Sequence, residues 1–163
     1  MPPSPVTESM KYFLQAEKFG VIGRTMSDRS RWDNKILRWY QQRDFPVTAV
    51  RPNKPSEEVE GLRLLTEPTQ IPDLPSTSIS IIINPLVGID ILKSLYPIPP
   101  NPIKEPRGIW FQPGADSADI WEYVKKRGIE DKVIGQGACV YRDGDGVLEK
   151  IKEEAEGKGG SKL

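Results

Sequence analysis

Apolar residues fall along this chain in five short runs: Phe19-Gly20-Val21-Ile22, Val47-Thr48-Ala49-Val50, Ile79-Ser80-Ile81-Ile82-Ile83, Ile109-Trp110-Phe111-Gln112 and Val133-Ile134. Their length, their β-branched and aromatic content, and the Gly, Pro and Asn residues that bound them predict strands. The stretches between them carry helical spacing instead. Trp32, Ile36, Leu37 and Tyr40 share one face of a helix over 32–43, and Ser30 with Asp33 predicts a capping box at its start. Leu86 to Leu95 predicts a second helix. Ser117 to Arg127 predicts a third, with Ile120, Trp121 and Val124 on one face and Gly128 at the stop. A short leading helix capped by Thr7 and a charged helix from Asp145 to Glu156 complete the pattern. The connections are a turn-rich segment over 52–75 with one short helix and a bend at Gly61, and a loop over 96–107 carrying five prolines.

Strands alternating with helices predict an α/β fold of three layers, with a five-stranded, mostly parallel sheet between helices and right-handed crossovers. The expected organisation is an N-terminal extension with a short helix over 1–17, a ligand-binding domain over 18–142, and a C-terminal helix with a flexible tail over 143–163. In such a sheet ligands bind beyond the carboxyl ends of the strands. Here those ends read Gly23-Arg24-Thr25, Arg51-Pro52-Asn53, Asn84-Pro85, Gln112-Pro113-Gly114 and Gly135-Gln136-Gly137. All are suited to presenting backbone or side-chain amides. The first strand, its glycine turn, the following helix and the second strand form the unit that sets phosphates over a helix N-terminus. An NAD site calls for a carboxylate at the second strand's tip, whereas this chain has Arg51 and Lys54. Cations there suit a ribose bearing an extra phosphate, as in coenzyme A or NADP.

Composition narrows the chemistry. The chain has 163 residues, 23 basic and 23 acidic side chains, no histidine and one cysteine, Cys139. The charge balance gives no reason to expect nucleic acid. No apolar run is long enough to predict a membrane span, and the start lacks the features of a secretory signal. A single cysteine allows no internal disulfide and fits a reducing, intracellular setting. Without histidine there is no Ser-His-Asp or Cys-His chemistry and no His-ligated metal. This favours a binding protein over an enzyme.

The strand ends resemble those of the CoA-binding domain family, small stand-alone Rossmann-like proteins similar to the N-terminal domain of the succinyl-CoA synthetase α subunit. The residues that carry the resemblance are Val21-Ile22-Gly23, Val50-Arg51-Pro52-Asn53, Ile83-Asn84-Pro85 and Ile109-Trp110-Phe111-Gln112-Pro113-Gly114, with Cys139 near the family's late cysteine. It extends over about Lys18 to Tyr141. The resemblance implies CoA or a short acyl-CoA lying across the strands' carboxyl edge. Gly23, Arg24 and Thr25 would contact phosphate. Arg51 and Lys54, with Pro52 and Asn53, would sit beside the adenosine end, and Asn84, Pro85, Gln112, Pro113 and Gly114 along the pantetheine arm. The chain departs from the pattern at Asn34-Lys35, where the family often has a small residue. It also lacks the histidine and the second domain that the synthetase phosphorylates and uses, so ligase activity does not carry over.

The expected role is therefore non-catalytic: a carrier, sensor or regulator of CoA metabolism. The alternative is an NADP-dependent oxidoreductase, with Tyr141 or Lys126 as a proton donor. A third reading is a ligand-free module whose crevice is filled by Met26 or Trp32. The ending Ser161-Lys162-Leu163 matches a peroxisomal address. It predicts an import receptor as a partner and the peroxisome as the location, with the cytoplasm as the alternative.

Overall fold

A computed structural model describes residues 3–160. The elements are α1 (Glu8–Leu14), β1 (Lys18–Gly23), α2 (Trp32–Gln42), β2 (Val47–Val50), β3 (Glu58–Val59), β4 (Leu62–Arg63), β5 (Thr77–Ile82), α3 (Pro85–Leu95), β6 (Gly108–Phe111), α4 (Ala118–Arg127), β7 (Val133–Ile134) and α5 (Val140–Gly160), with four short 3-10 turns. The main sheet runs β2-β1-β5-β6-β7, and every pairing in it is parallel. Helices α1, α2 and α5 cover one face, and α3 and α4 the other. This is the three-layer Rossmann-like α/β arrangement. Among the described residues no helix is long and apolar enough to cross a membrane.

The central strand β5 shows how side-chain choice sets the layers. Alternation sends Ile79 and Ile81 toward α3 and α4, and Ser78 and Ser80 toward the opposite layer. Both serines are buried and paired: Ser78 Oγ donates to the Phe13 carbonyl at 2.8 Å, and Ser80 Oγ lies 2.8 Å from the Tyr40 hydroxyl. The small hydroxyls let α1 and α2 approach the sheet while each keeps a hydrogen-bond partner. Burial pushes the Tyr40 hydroxyl well above the usual range for tyrosine, against a smaller opposite pull from its bond to Ser80.

Two local expectations are corrected and one is refined. The bend at Gly61 is the turn of the β3–β4 hairpin, where Glu60 and Gly61 both take positive φ, 51° and 81°, and the short helix of this connection is a 3-10 turn over Pro68–Gln70. Ser30 caps nothing: its Oγ and N–H bond Asp28, Arg31 occupies the N-cap of α2, and Asp33 turns elsewhere. The last helix begins at Val140, not Asp145, and continues through Gly160. Its start is fixed by one distant partner and one local one: Gln112 Oε1 accepts the Val140 N–H at 2.9 Å, and Asp143 Oδ2 accepts the Cys139 N–H at 2.9 Å.

Asp143 also fastens the N-terminal segment. Its carboxylate accepts the Ser4 N–H at 3.0 Å and is held by Arg142 through Nε and Nη2, both at 2.8 Å, while Arg142 Nη2 donates to Ser4 Oγ at 2.7 Å. Burial alone would raise Asp143, but the hydrogen bonds from Arg142, the Cys139 N–H and Ser4 outweigh it and hold the carboxyl at about 2, below its ordinary 3.8. A carboxyl with a depressed folded pKa stabilises the fold above its unfolded pKa and loses that contribution as pH falls through the folded one. The contribution is roughly 2 kcal/mol and disappears between about pH 4 and pH 2. Thermal melting from pH 5 to pH 2 should therefore fall less steeply for Asp143→Asn, by about that amount. Parallel pH profiles of the two proteins would contradict the assignment.

Candidate functional site

The strand order reverses between β1 and β5, and an open parallel sheet forms its crevice at such a switch point, beyond the strands' carboxyl ends. A cleft of about 310 Å³ lies there, lined by Arg24, Thr25, Arg31, Trp32 and Asp33 on one wall and by Ile82, Ile83, Asn84, Pro113, Gly114 and Ala115 on the other. Its size falls at the lower end of the range for ligand pockets. A larger recess of about 490 Å³ sits near the amino ends of β1, β2 and β5, lined by apolar side chains such as Phe45, Val47, Leu62 and Ile71. Its one cation, Lys18, is paired with Asp73. The smaller cleft carries two arginines, Arg24 and Arg31.

The loop over 24–31 is held by Asp33. This buried carboxylate accepts the Thr25 and Met26 N–H groups, both at 3.0 Å, the Asn34 N–H at 2.7 Å and the Thr25 hydroxyl at 3.1 Å. Asn34, fully buried, donates to the Met26 carbonyl at 2.7 Å and so clamps the loop from its other side. Gly23 makes this possible, because a Cβ there would stand 2.4 Å from Asp33 Cβ and 2.6 Å from Met26 Sδ. The consequence for chemistry is direct. Two amides that a phosphate loop would offer its ligand are already engaged by an internal carboxylate. The cleft's two cations are Arg24, which is exposed and makes no hydrogen bond or ion pair among the described residues, and Arg31, whose one ion pair, to Asp28, spans 3.7 Å.

Of the residues singled out from sequence, the cleft brings together Arg24, Thr25, Asn84, Pro113 and Gly114. Asn84 also caps α3, its Oδ1 accepting the Leu86 N–H at 2.8 Å, and Pro85 is the first residue of that helix. Gly23 lies buried behind the loop. Gln112 is turned away into the α5 side of the sheet. It is 2 % exposed, and its amide is taken up by the Val140 N–H, Ser80 Oγ and the Trp110 carbonyl. The residues Arg51 to Lys54 form a separate group at the β2 tip. There Arg51 is committed to Glu57 Oε1 and the Pro55 carbonyl, each at 2.7 Å, with its buried Nε unpartnered. Pro52 is half-buried, and Asn53 takes a φ of 62° while its N–H donates to the Thr66 carbonyl. Lys54 is exposed, with no partner among the described residues. Ser161, Lys162 and Leu163 lie outside the described residues.

Sequence reasoning missed Arg31, Asp33, Ile82, Ile83 and Ala115 as cleft residues. Arg31 adjoins a predicted phosphate loop, and its charge was the available signal. The others are placed only by the fold. Met26 is fully buried in the core rather than filling the crevice, and Trp32 lines it while remaining 53 % exposed, so the cleft stays open.

The model of a CoA binding domain matches residues 17–144 of the chain. No curated protein matches it. Among solved structures, a conserved hypothetical protein from Pyrococcus furiosus is 26% identical with a TM-score of 0.63, over 77% of this chain and 97% of that one. A hypothetical protein from Pyrococcus horikoshii OT3 is 15% identical with a TM-score of 0.69, over 91% and 97% of the two chains. A protein from Thermus thermophilus is 19% identical with a TM-score of 0.66, over 86% and 93%. The last two likenesses concern the fold alone.

Proposed function

The chain belongs to the family of CoA-binding domains, and we propose that it binds CoA or a short acyl-CoA without transforming it, as a carrier, sensor or regulator. The observation that carries this reading is the unpaired Arg24 beside Arg31 at the mouth of a cleft on the sheet's switch point. These two guanidinium groups suit a diphosphate, and the pantetheine arm would run past Asn84 and Pro113-Gly114. At the β2 tip Lys54, rather than the Glu57-bound Arg51, is the cation free for the ribose phosphate. The state of Asp33 supports binding over proton transfer, because the one carboxylate in the cleft has its oxygens occupied by three N–H groups and a hydroxyl.

Isothermal titration with CoA tests the reading. CoA is expected to bind more tightly than dephospho-CoA and NADP, and Arg24→Ala and Lys54→Ala each to weaken it by about tenfold at low salt. No heat at millimolar CoA would refute the function. Equal affinity for CoA and dephospho-CoA would remove the role given to Lys54, and tighter binding of NADP would favour a dinucleotide ligand.

A further inference from the structure

Two large aromatic side chains stand in solvent beside the cleft. Trp32, the first residue of α2, is 53 % exposed, and Tyr141, the second residue of α5, is 47 % exposed. Their rings meet edge to face, with centroids 5.3 Å apart and planes at 79°. They come from residues 109 positions apart in the chain (141 − 32), brought together because both helices begin at the carboxyl edge of the sheet. Single exposed apolar residues are ordinary on protein surfaces, but Trp32 shares the cleft with Ile82, Ile83, Pro113 and Ala115, and Tyr141 extends that apolar surface through its contact with the indole.

The cleft is therefore two-ended in chemistry. Arg24, Thr25 and Arg31 make one part of it cationic and polar, and Trp32 with the isoleucines makes another apolar. The position of the pair along the edge follows from its anchors. Tyr141 follows Val140, whose N–H is held by Gln112 directly past β6. In the sheet β6 lies two strands from β1, roughly 10 Å from the phosphate loop at the ordinary strand spacing. That is the direction a pantetheine arm takes when its diphosphate is at Arg24 and its chain passes Asn84 and Pro113. A ligand running that way would bring its thioester end toward the aromatic pair.

We propose that Trp32 and Tyr141 form a subsite for the apolar acyl group of an acyl-CoA thioester, so that the protein prefers acylated CoA to the free thiol. The inference rests on the CoA reading above and deepens it by naming the ligand class. An acyl chain laid against the two rings withdraws apolar surface of both partners from water. Lys35, whose ammonium lies 4.6 Å from the Trp32 ring centroid, helps hold the indole in place. The subsite is open to solvent, so it suits chains of a few carbons, and the gain per methylene should fall short of full burial. Complete burial would tighten binding about fourfold per methylene; half-burial between exposed rings corresponds to about twofold.

The test measures the affinities of CoA, acetyl-CoA, butyryl-CoA and hexanoyl-CoA for the full chain and for Trp32→Ala, Trp32→Phe and Tyr141→Ala, with circular dichroism to establish that each variant is folded. The readout is the ratio of acyl-CoA to CoA affinity within each protein, which a general loss of binding does not move. Hexanoyl-CoA is expected to bind wild type about ten- to twentyfold more tightly than acetyl-CoA. Trp32→Ala and Tyr141→Ala should flatten that series, and Trp32→Phe should keep most of it. A flat series in wild type that still binds CoA overturns the subsite and leaves the CoA reading standing. A steep series that survives both alanine variants places the acyl group elsewhere. Trp32→Ala weakening CoA and every acyl-CoA equally assigns the indole to the common part of the ligand, which also overturns the proposal. Failure of all four ligands to bind wild type removes the CoA reading itself.

Discussion

Asp33→Ala is expected to lower the melting temperature by about 6–12 °C, the shift that roughly 3 kcal/mol produces in a domain of this size. The substitution orphans the N–H groups of Thr25, Met26 and Asn34 and the hydroxyl of Thr25, all of which now end on that carboxylate. Hydrogen bonds to a charged group contribute about 1.5–3 kcal/mol each, and an unmet buried donor costs about 1–3 kcal/mol. Simple addition would exceed the figure given. Thr25 lines the open cleft, however, and its groups can turn to water, whereas Met26 is fully buried and cannot. Asp33→Asn keeps the shape and one acceptor oxygen, so about 1 kcal/mol should be lost. Paired thermal melts of the three proteins check this. An Asp33→Ala protein that melts with wild type would show that the carboxylate does not hold the loop.

Two glycines of α5, two positions apart, should respond to alanine with opposite signs. In a helix interior alanine is favoured over glycine by about 1 kcal/mol. Gly146 is exposed and has nothing within 4 Å of an added Cβ, so Gly146→Ala should realise that gain. A Cβ on Gly144 would stand 2.4 Å and 2.8 Å from two ring carbons of Trp39. The indole has little room to retreat, because it is buried, meets Tyr40 edge-on at 5.0 Å and carries the Arg43 guanidinium over its ring at 4.2 Å. Overpacking of this kind costs about 1–3 kcal/mol, and the closeness here puts it at the upper end. Gly144→Ala should thus destabilise by about 2 kcal/mol net, leaving the two variants roughly 3 kcal/mol, or about 6–12 °C, apart. Equal melting temperatures for the two would show that α2 and α5 are not packed through this contact.

Much of the fold was legible before any coordinates, for reasons that are local. The run Ile79 to Ile83 is too apolar to face water and too short for a helix, and it is the centre of the sheet. Thr7, Ser117 and Gly128 cap their helices as their types predict, through a bond to the Met10 N–H, a bond to the Ile120 N–H and a φ of 72°. Such signals depend on residues a few positions apart. The strand tips likewise marked the edge where the cleft lies, since parallel strands must all end on the same side.

Other features depended on partners that no local pattern names. Asp33 had two local options, Ser30 and the loop, and the missing Cβ of Gly23 decided for the loop by leaving room for the carboxylate. Gln112 sits at a strand tip, where alternation alone allows a ligand contact, yet the start of α5 takes its amide. Arg51 looks like a free cation in the chain and is neutralised by Glu57 only because the segment after β2 folds back beside it. From the sequence the last helix starts only at Asp145, after Asp143 and Gly144; it starts earlier in the fold because Gln112 supplies an acceptor for the Val140 N–H and Trp39 occupies the space that Gly144 leaves. Strand identity, helix caps and the side of the sheet that binds follow from short-range periodicity and backbone preference, which the sequence by itself determines. The charge state of the β2 tip, the filling of the phosphate loop by Asp33 and the meeting of Trp32 with Tyr141 are set by contacts between distant residues. Only the tertiary structure decides those, because close packing selects which of several equally good local partners can occupy the space.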